Sequence, residues 1–221
     1  MMSDFDNIPT LPAIMGPAKQ IAYMVDNIDG AMKHWHEEYG VGPFLVTRNA
    51  VPLSNAYYRN QKAQTTRVNI AFAYVGEMQL ELIELIGDTP GLYKEALDRQ
   101  RYGVHHYAVL VDNFPRAYSW ALDNGFDAVI DAGIDGLARM SYMENPHSGL
   151  ILEVIEWNSL TRPYFNVIEK KVKSADAKQL VHEFKLPDIT PKTAAFLGVL
   201  KFGGKKLFGQ VQQTRRVPEA A

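Results

Sequence analysis

A chain of 221 residues with 47% hydrophobic and 22% charged side chains can build one sizeable core or two small ones, with the composition of an ordinary globular protein. A net charge of −2 points to neither nucleic acid nor an anionic membrane as a partner, and the lack of cysteine excludes disulfides, thiolate metal sites and thiol nucleophiles. The charge is unevenly spread: residues 192–221 carry six basic side chains against Glu219 alone, a net of +5, which leaves −7 for the rest.

In chain order, Pro9, Pro12 and Pro17 discourage a helix and predict an irregular N-terminal arm over 1–17. The acidic start has no charged n-region followed by an apolar core, and no apolar run approaches the roughly 20 residues that span a bilayer, so a cytoplasmic protein is expected. Strand signals begin at Gln20-Ile-Ala-Tyr-Met-Val. Asp26-Asn-Ile-Asp29 supplies an N-cap for an amphipathic helix over 29–39, with Ala31, Trp35 and Tyr39 on one face and Gly40 as its stop. Strands follow at 44–48, 66–75 and 78–84, the last two joined by a tight turn at Gly76-Glu77. Residues 88–102 read as a connecting helix.

The second half repeats that order: a strand at 105–111, an Asp112-Asn113 cap, a helix at about 114–123 closed by Asn124-Gly125, and strands near 126–131, 137–144 and 150–157. Beyond Trp157 the repeat stops, and 158–221 reads as an extension with one or two helices. Its basic, Phe- and Leu-bearing stretch from Thr193 could rest on anionic lipid. Gly203-Gly204 interrupts it, however, and packing on the domain or on a second copy explains the apolar residues as well. No membrane partner is expected.

The repeat extends to individual residues. Gln20-Ile-Ala-Tyr-Met-Val-Asp-Asn27 returns as His106-Tyr-Ala-Val-Leu-Val-Asp-Asn113, and Leu80-Glu-Leu-Ile-Glu84 returns as Leu152-Glu-Val-Ile-Glu156. Each half is thus βαβββ, a sheet with one face under its helix and the other bare; pairing two halves buries the bare faces or encloses a pocket between them. Alternation puts Glu81 and Glu153 at the same pleat position in otherwise apolar strands, where a lone carboxylate is costly unless paired or metal-bound. Gln20, Glu81, His106 and Glu153 would bring three oxygens and one imidazole nitrogen to one cavity, a donor set suited to a divalent ion such as Zn²⁺, Ni²⁺, Co²⁺ or Mn²⁺. The competing reading makes each a polar residue at a strand end.

Alternation sends the neighbouring His105 toward the helix-covered side. His34 and His36, two apart on a helix, read as solvated, and His147 and His182 as structural or solvent-facing. Arg48, Tyr57, Tyr58, Arg139 and Tyr142 fall on or near the cavity strands and are candidates to hold a substrate, with core or rim packing as the alternative. No Gly-rich phosphate loop follows a strand, and no Gly-x-Ser-x-Gly elbow occurs.

The opening Gln20-to-Ala31 run, Leu80-Glu-Leu-Ile-Glu84, Gly103-Val-His-His-Tyr-Ala108 and Gly149-to-Glu156 together resemble the vicinal oxygen chelate superfamily, which includes glyoxalase I, methylmalonyl-CoA epimerase, extradiol dioxygenases and bleomycin-resistance proteins. The resemblance covers about residues 18–157, with half-modules about 18–87 and 103–157. It implies an α+β fold of glyoxalase-like tandem βαβββ modules forming an incomplete mixed-sheet barrel, here with a C-terminal helical extension over 158–221. Carried over, the family's metal-ligand positions fall on Gln20, Glu81, His106 and Glu153, with Glu153 as first candidate for the base and Glu81 as second. The resemblance implies one divalent metal ion and a reaction that removes a proton beside a metal-chelated carbonyl of a small carbonyl or hydroxy-acyl metabolite: isomerisation, epimerisation or lysis. A metal-free binding or sequestering protein is the alternative. A ring-cleaving dioxygenase fits less well, because extradiol enzymes hold Fe²⁺ with two His and one carboxylate and this ligand set has one His. Gln20 likewise departs from the His that epimerase-like relatives tend to carry at the opening position. Relatives commonly pair, so a homodimer is expected.

Overall fold

Two βαβββ modules lie edge to edge in one open, eleven-stranded mixed sheet, joined where the first strand of each pairs antiparallel with the other. The computed structural model describes residues 12–52, 56–99, 102–134, 138–159 and 161–184. The first module comprises β1 (Ala18–Val25), α1 (Ile28–Tyr39), β2 (Phe44–Ala50), β5 (Arg67–Val75) and β6 (Met78–Ile86). Between β2 and β5 the chain forms a small hairpin, β3 (Tyr57–Tyr58) and β4 (Gln61–Lys62). After α2 (Leu92–Asp98), the second module comprises β7 (Gly103–Val111), α3 (Phe114–Asp123), β8 (Asp127–Ile134), β9 (Ala138–Glu144) and β10 (Ile151–Glu156). The chain continues through α4 (Thr161–Lys173) to β11 (Val181–Glu183). Strand order across the sheet is β11-β2-β5-β6-β1-β7-β10-β9-β8-β3-β4.

The expected elements form, with the caps the sequence announces. Asn27 Oδ1 accepts from the Gly30 N–H at 2.6 Å, and Gly40 closes α1 with φ +67°, a left-handed geometry that glycine adopts without strain. Asn113 caps α3 through the Arg116 N–H. The buried face of α1 is set by Ile28 and Met32 rather than by Tyr39, which is exposed at the helix end. Two features go beyond the expectation. The β3–β4 hairpin turns at Arg59-Asn60, both at positive φ as a two-residue turn of this type requires, and pairs across to β8 of the other module. β11 adds a parallel edge strand beside β2.

Each module's outer face packs on its own helix: Leu80, Leu82, Ala71 and Val46 against Ile28 and Met32 of α1, and Val109, Leu152 and Val154 against Phe114, Ala117 and Ala121 of α3. Met15, just before β1, is fully buried in the second of these clusters. The inner face is also covered. Ala22, Met24, Phe72 and Ile83 pack on Tyr93 and Ala96 of α2 and on Ile168 and Val172 of α4, while Ile130, Tyr142 and Ile151 pack on Leu92 and Ala56. The repeat therefore ends at Trp157 in sequence but not in packing, since α4 helps build the first module's inner core. Among the described residues no helix is long and apolar enough to cross a membrane. The basic tail over 192–221 lies outside the described residues.

Candidate functional site

Strand register alone gathers the four predicted ligands on one face. Ala22 of β1 sits opposite Glu81 on one side and His106 on the other; Ala108 of β7 sits opposite Gln20 on one side and Glu153 on the other. Residues paired across strands share a face, and so do residues two apart along a strand, so Gln20 and Ala22, and His106 and Ala108, tie the two rows together. Two fully buried alanines, themselves counterparts in the repeat, thus floor a patch with Gln20, Glu81, His106 and Glu153 at its corners. Methyl groups at the centre leave room that larger side chains would fill. The rows continue outward to Phe72 beside Glu81, and to Gln79 and Tyr142 beside Gln20 and Glu153.

All four corner residues are buried, His106 completely. His106 Nε2 lies 3.4 Å from Glu153 Oε2 and 3.6 Å from Glu81 Oε2, beyond ordinary hydrogen-bond length, and has no hydrogen-bond partner. A buried ring nitrogen without a partner is a costly arrangement. Two donors sharing an ion at bond lengths of about 2.0–2.2 Å end up roughly 3–3.6 Å apart, so these separations match donors around a common cation better than a direct contact. As they stand, no three His, Asp, Glu or Cys side chains among the described residues are drawn into a group that could hold a metal ion. The donor types fit a divalent ion; their spacing leaves the centre open.

Burial, and then the charge of Glu153, push the Glu81 carboxyl well above the usual carboxylate range. Phenols close the site. Tyr142 presents its ring to His106 at a centroid distance of 5.0 Å, and its hydroxyl meets that of Tyr93 at 3.2 Å. Burial, followed by the nearby carboxylates, pushes the hydroxyls of Tyr93, Tyr142 and Tyr164 above the usual phenol range. Tyr93 on α2 and Tyr164 on α4 belong to segments that sequence reasoning treats as a connector and an extension. Tyr93 falls outside the repeat, so comparison of the two halves has no means of finding it.

His105 is the main correction at residue level. Alternation expects it on the helix-covered side, but the β1–β7 register steps from Ala22–His106 to Tyr23–Val104 and skips His105. An extra residue of this kind forms a β-bulge and breaks alternation locally. His105 is consequently buried beside the site, its Nδ1 2.8 Å from His106 Nδ1 and its ring against Tyr93. Burial, with the neighbouring His106, lowers its basicity well below the usual imidazole range.

Of the substrate-holding candidates, Tyr142 is at the site and the others are elsewhere. Arg48 is bound to Asp29 and Glu183 at the outer edge of the first module. Arg139 pairs with Glu156 at 2.6 Å and lies over the Phe114 ring of α3, on the outer side. Tyr57 is half exposed on the edge hairpin, and Tyr58 is hydrogen-bonded to Glu95. Polarity on a cavity-side strand does not distinguish these residues, because charged partners on α1, β10 and β11 draw the arginines outward. A small cavity of about 40 Å³ borders the site, lined by residues including Leu92, Arg99, His105, Glu144 and Ile151.

The chain matches the family model described as the glyoxalase/bleomycin resistance protein/dioxygenase superfamily over residues 19–142. No curated protein matches it. Among solved structures, it is similar to a hypothetical protein, BH1468, from Bacillus halodurans C-125, at 17% identity over 64% of this chain and 94% of that one, with a TM-score of 0.45. Methylmalonyl-CoA epimerase from Mycobacterium tuberculosis is 13% identical over 70% of this chain and 97% of its own, with a TM-score of 0.47. A Streptomyces coelicolor methylmalonyl-CoA epimerase variant in complex with 2-nitronate-propionyl-CoA is 14% identical over 64% and 94%, with a TM-score of 0.44. At such scores these likenesses carry no weight for function.

Proposed function

The chain belongs to the glyoxalase/bleomycin resistance protein/dioxygenase superfamily, and on that premise we propose that it is a metal-dependent isomerase, epimerase or lyase acting on a small carbonyl or hydroxy-acyl metabolite. The observation that carries the reading is His106 Nε2, fully buried and unbonded, facing carboxylate oxygens of Glu153 and Glu81 at 3.4 and 3.6 Å. Gln20, Glu81, His106 and Glu153 would hold a divalent ion (Zn²⁺, Ni²⁺, Co²⁺ or Mn²⁺), which when bound supplies Lewis-acid polarisation of a substrate carbonyl.

The chain's own groups handle the proton. Glu153 Oε takes it from the carbon beside the carbonyl, with Glu81 as second candidate. Of the Tyr93 and Tyr142 hydroxyls, one donates to the other, which leaves one O–H free to meet a substrate oxygen. Epimerisation follows if Glu153 keeps that proton and the Glu81 carboxyl delivers another to the opposite face of the same carbon; return of the proton by Glu153 to the next carbon gives isomerisation. α2 and α4 pack over the inner face and limit access of water.

Two measurements test this. Protein purified without chelator is analysed for metal and titrated with Zn²⁺, Ni²⁺ and Co²⁺; a site that stays empty sinks metal dependence. Deuterium exchange at the carbon beside the carbonyl is followed across acyl-CoAs, hemithioacetals and hydroxy-ketones. Glu153→Gln is expected to lower exchange by roughly 10²–10⁴-fold with the fold intact, and undiminished exchange refutes the base assignment. A metal-free binding protein, in which Glu81 and Glu153 line a polar pocket, is the second reading; among the described residues no three His, Asp, Glu or Cys side chains form a group that could hold an ion. The homodimer belongs to the same proposal and is checked by sedimentation.

A further inference from the structure

We propose that His105 is a positioning residue that accepts a hydrogen bond from the Nδ1–H of His106, fixing His106 in the tautomer whose Nε2 is a bare lone pair directed at Glu81 and Glu153. The inference rests on the metal-centred reading above and extends it to a residue outside the ligand set.

Three observations carry it. The first is the bulge. Skipping His105 in the β1–β7 register brings consecutive imidazoles together, where regular pleating would send them to opposite faces. The second is the contact itself. The two Nδ1 atoms lie 2.8 Å apart in a buried setting, and this separation requires that one of them carry the proton and the other accept it. A neutral imidazole has one N–H, so the direction of this bond fixes the state of both Nε2 atoms. The third is the silence of His106 Nε2. Were the proton there, an N–H would face two carboxyl groups and be expected to close on one at about 2.7–3.0 Å; instead the distances are 3.4 and 3.6 Å with no bond formed. The proton therefore belongs on His106 Nδ1, and His105 Nδ1 is the acceptor.

The complementary assignment also fits. His105 then carries its proton on Nε2, which is buried. The backbone carbonyl of Leu92 on α2 is an acceptor beside the His105 ring and favours a proton on it. The Tyr93 ring packs on His105 at 5.3 Å and the Tyr142 ring on His106 at 5.0 Å, so the pair is clamped from both sides. A histidine that binds metal through one nitrogen ordinarily needs an acceptor for the other, supplied by a carboxylate, a carbonyl or water. Here an imidazole fills that role.

The experiment uses the full-length protein with ¹⁵N-labelled histidine. In the metal-free protein, NMR should show His106 as the Nδ1–H tautomer; an Nε2–H tautomer overturns the proposal. Zn²⁺ titration of His105→Phe, which keeps a ring against Tyr93 but removes the acceptor, should show affinity reduced by about 10–100-fold. His105→Gln, whose amide oxygen can accept, should recover most of that loss and keep the tautomer. Unchanged affinity and tautomer in His105→Phe, or a His105→Gln protein as impaired as His105→Phe, refutes the assignment. If wild-type protein binds no Zn²⁺, the metal reading fails, while the metal-free tautomer still decides the role of His105.

Discussion

The two halves of this chain carry the same strands, the same capped helix and the same bulge, and they put that bulge to different uses. In the first half the extra residue is Lys19, skipped between Ala18–Val109 and Gln20–Ala108, and its side chain is exposed. In the second half the equivalent position is His105, buried against its neighbour's imidazole. The next residue differs as well, Gln20 against His106. Duplication thus preserves backbone geometry, which strand pairing enforces, while side chains at matching positions diverge. The inner faces differ in their covering too: α2 packs on both, through Tyr93 and Ala96 on the first module and Leu92 on the second, while α4 packs on the first and the chain around Ala56 on the second.

Each difference can be broken. Removing the α4 contact has the largest expected effect on stability. Ile168→Ala empties a site that is 1% exposed and should cost about 2–5 kcal/mol in urea unfolding. A loss below 1 kcal/mol would mean that the first module does not depend on the extension.

A smaller effect sharpens the contrast between the paired carboxylates. Burial and the charge of Glu153 hold the folded-state proton of Glu81 more tightly than the unfolded chain does. This stabilisation is complete below the ordinary glutamate value of 4.5 and is lost as pH rises from there through the raised folded value. Metal-free protein should therefore lose stability across that window, and Glu81→Gln should flatten the decline. A decline as steep in the variant would place the titration elsewhere.

The smallest effect tests the arginines. Arg48→Ala removes exposed ion pairs to Asp29 and Glu183, so its cost should stay within about 1 kcal/mol with proton exchange unaltered. A large loss of exchange would return Arg48 to the site.

Much of this was legible because β-structure writes its register into the sequence. Period-two alternation in 78–84 and 150–156 put Glu81 and Glu153 on equivalent inner positions, and the repeat matched Gln20 with His106. Alternation misplaces His105 because it assumes no bulge, and a bulge comes from pairing with a distant strand rather than from local composition. The β3–β4 hairpin escaped because Arg59-Asn60 is a weak turn signal and its strands have two residues each. Arg48 and Arg139 pair away from the patch, and local sequence does not reveal which acidic partner each will meet.

The sequence by itself determined two copies of one supersecondary unit and the corners of one polar patch, since apolar period and capping act within a few residues. Tertiary structure alone decided that the copies meet through β1 and β7, that Tyr93 and Tyr164 close the patch, and that His105 turns inward. Those outcomes depend on contacts between residues far apart in the chain, where packing and hydrogen-bond satisfaction outweigh local preference.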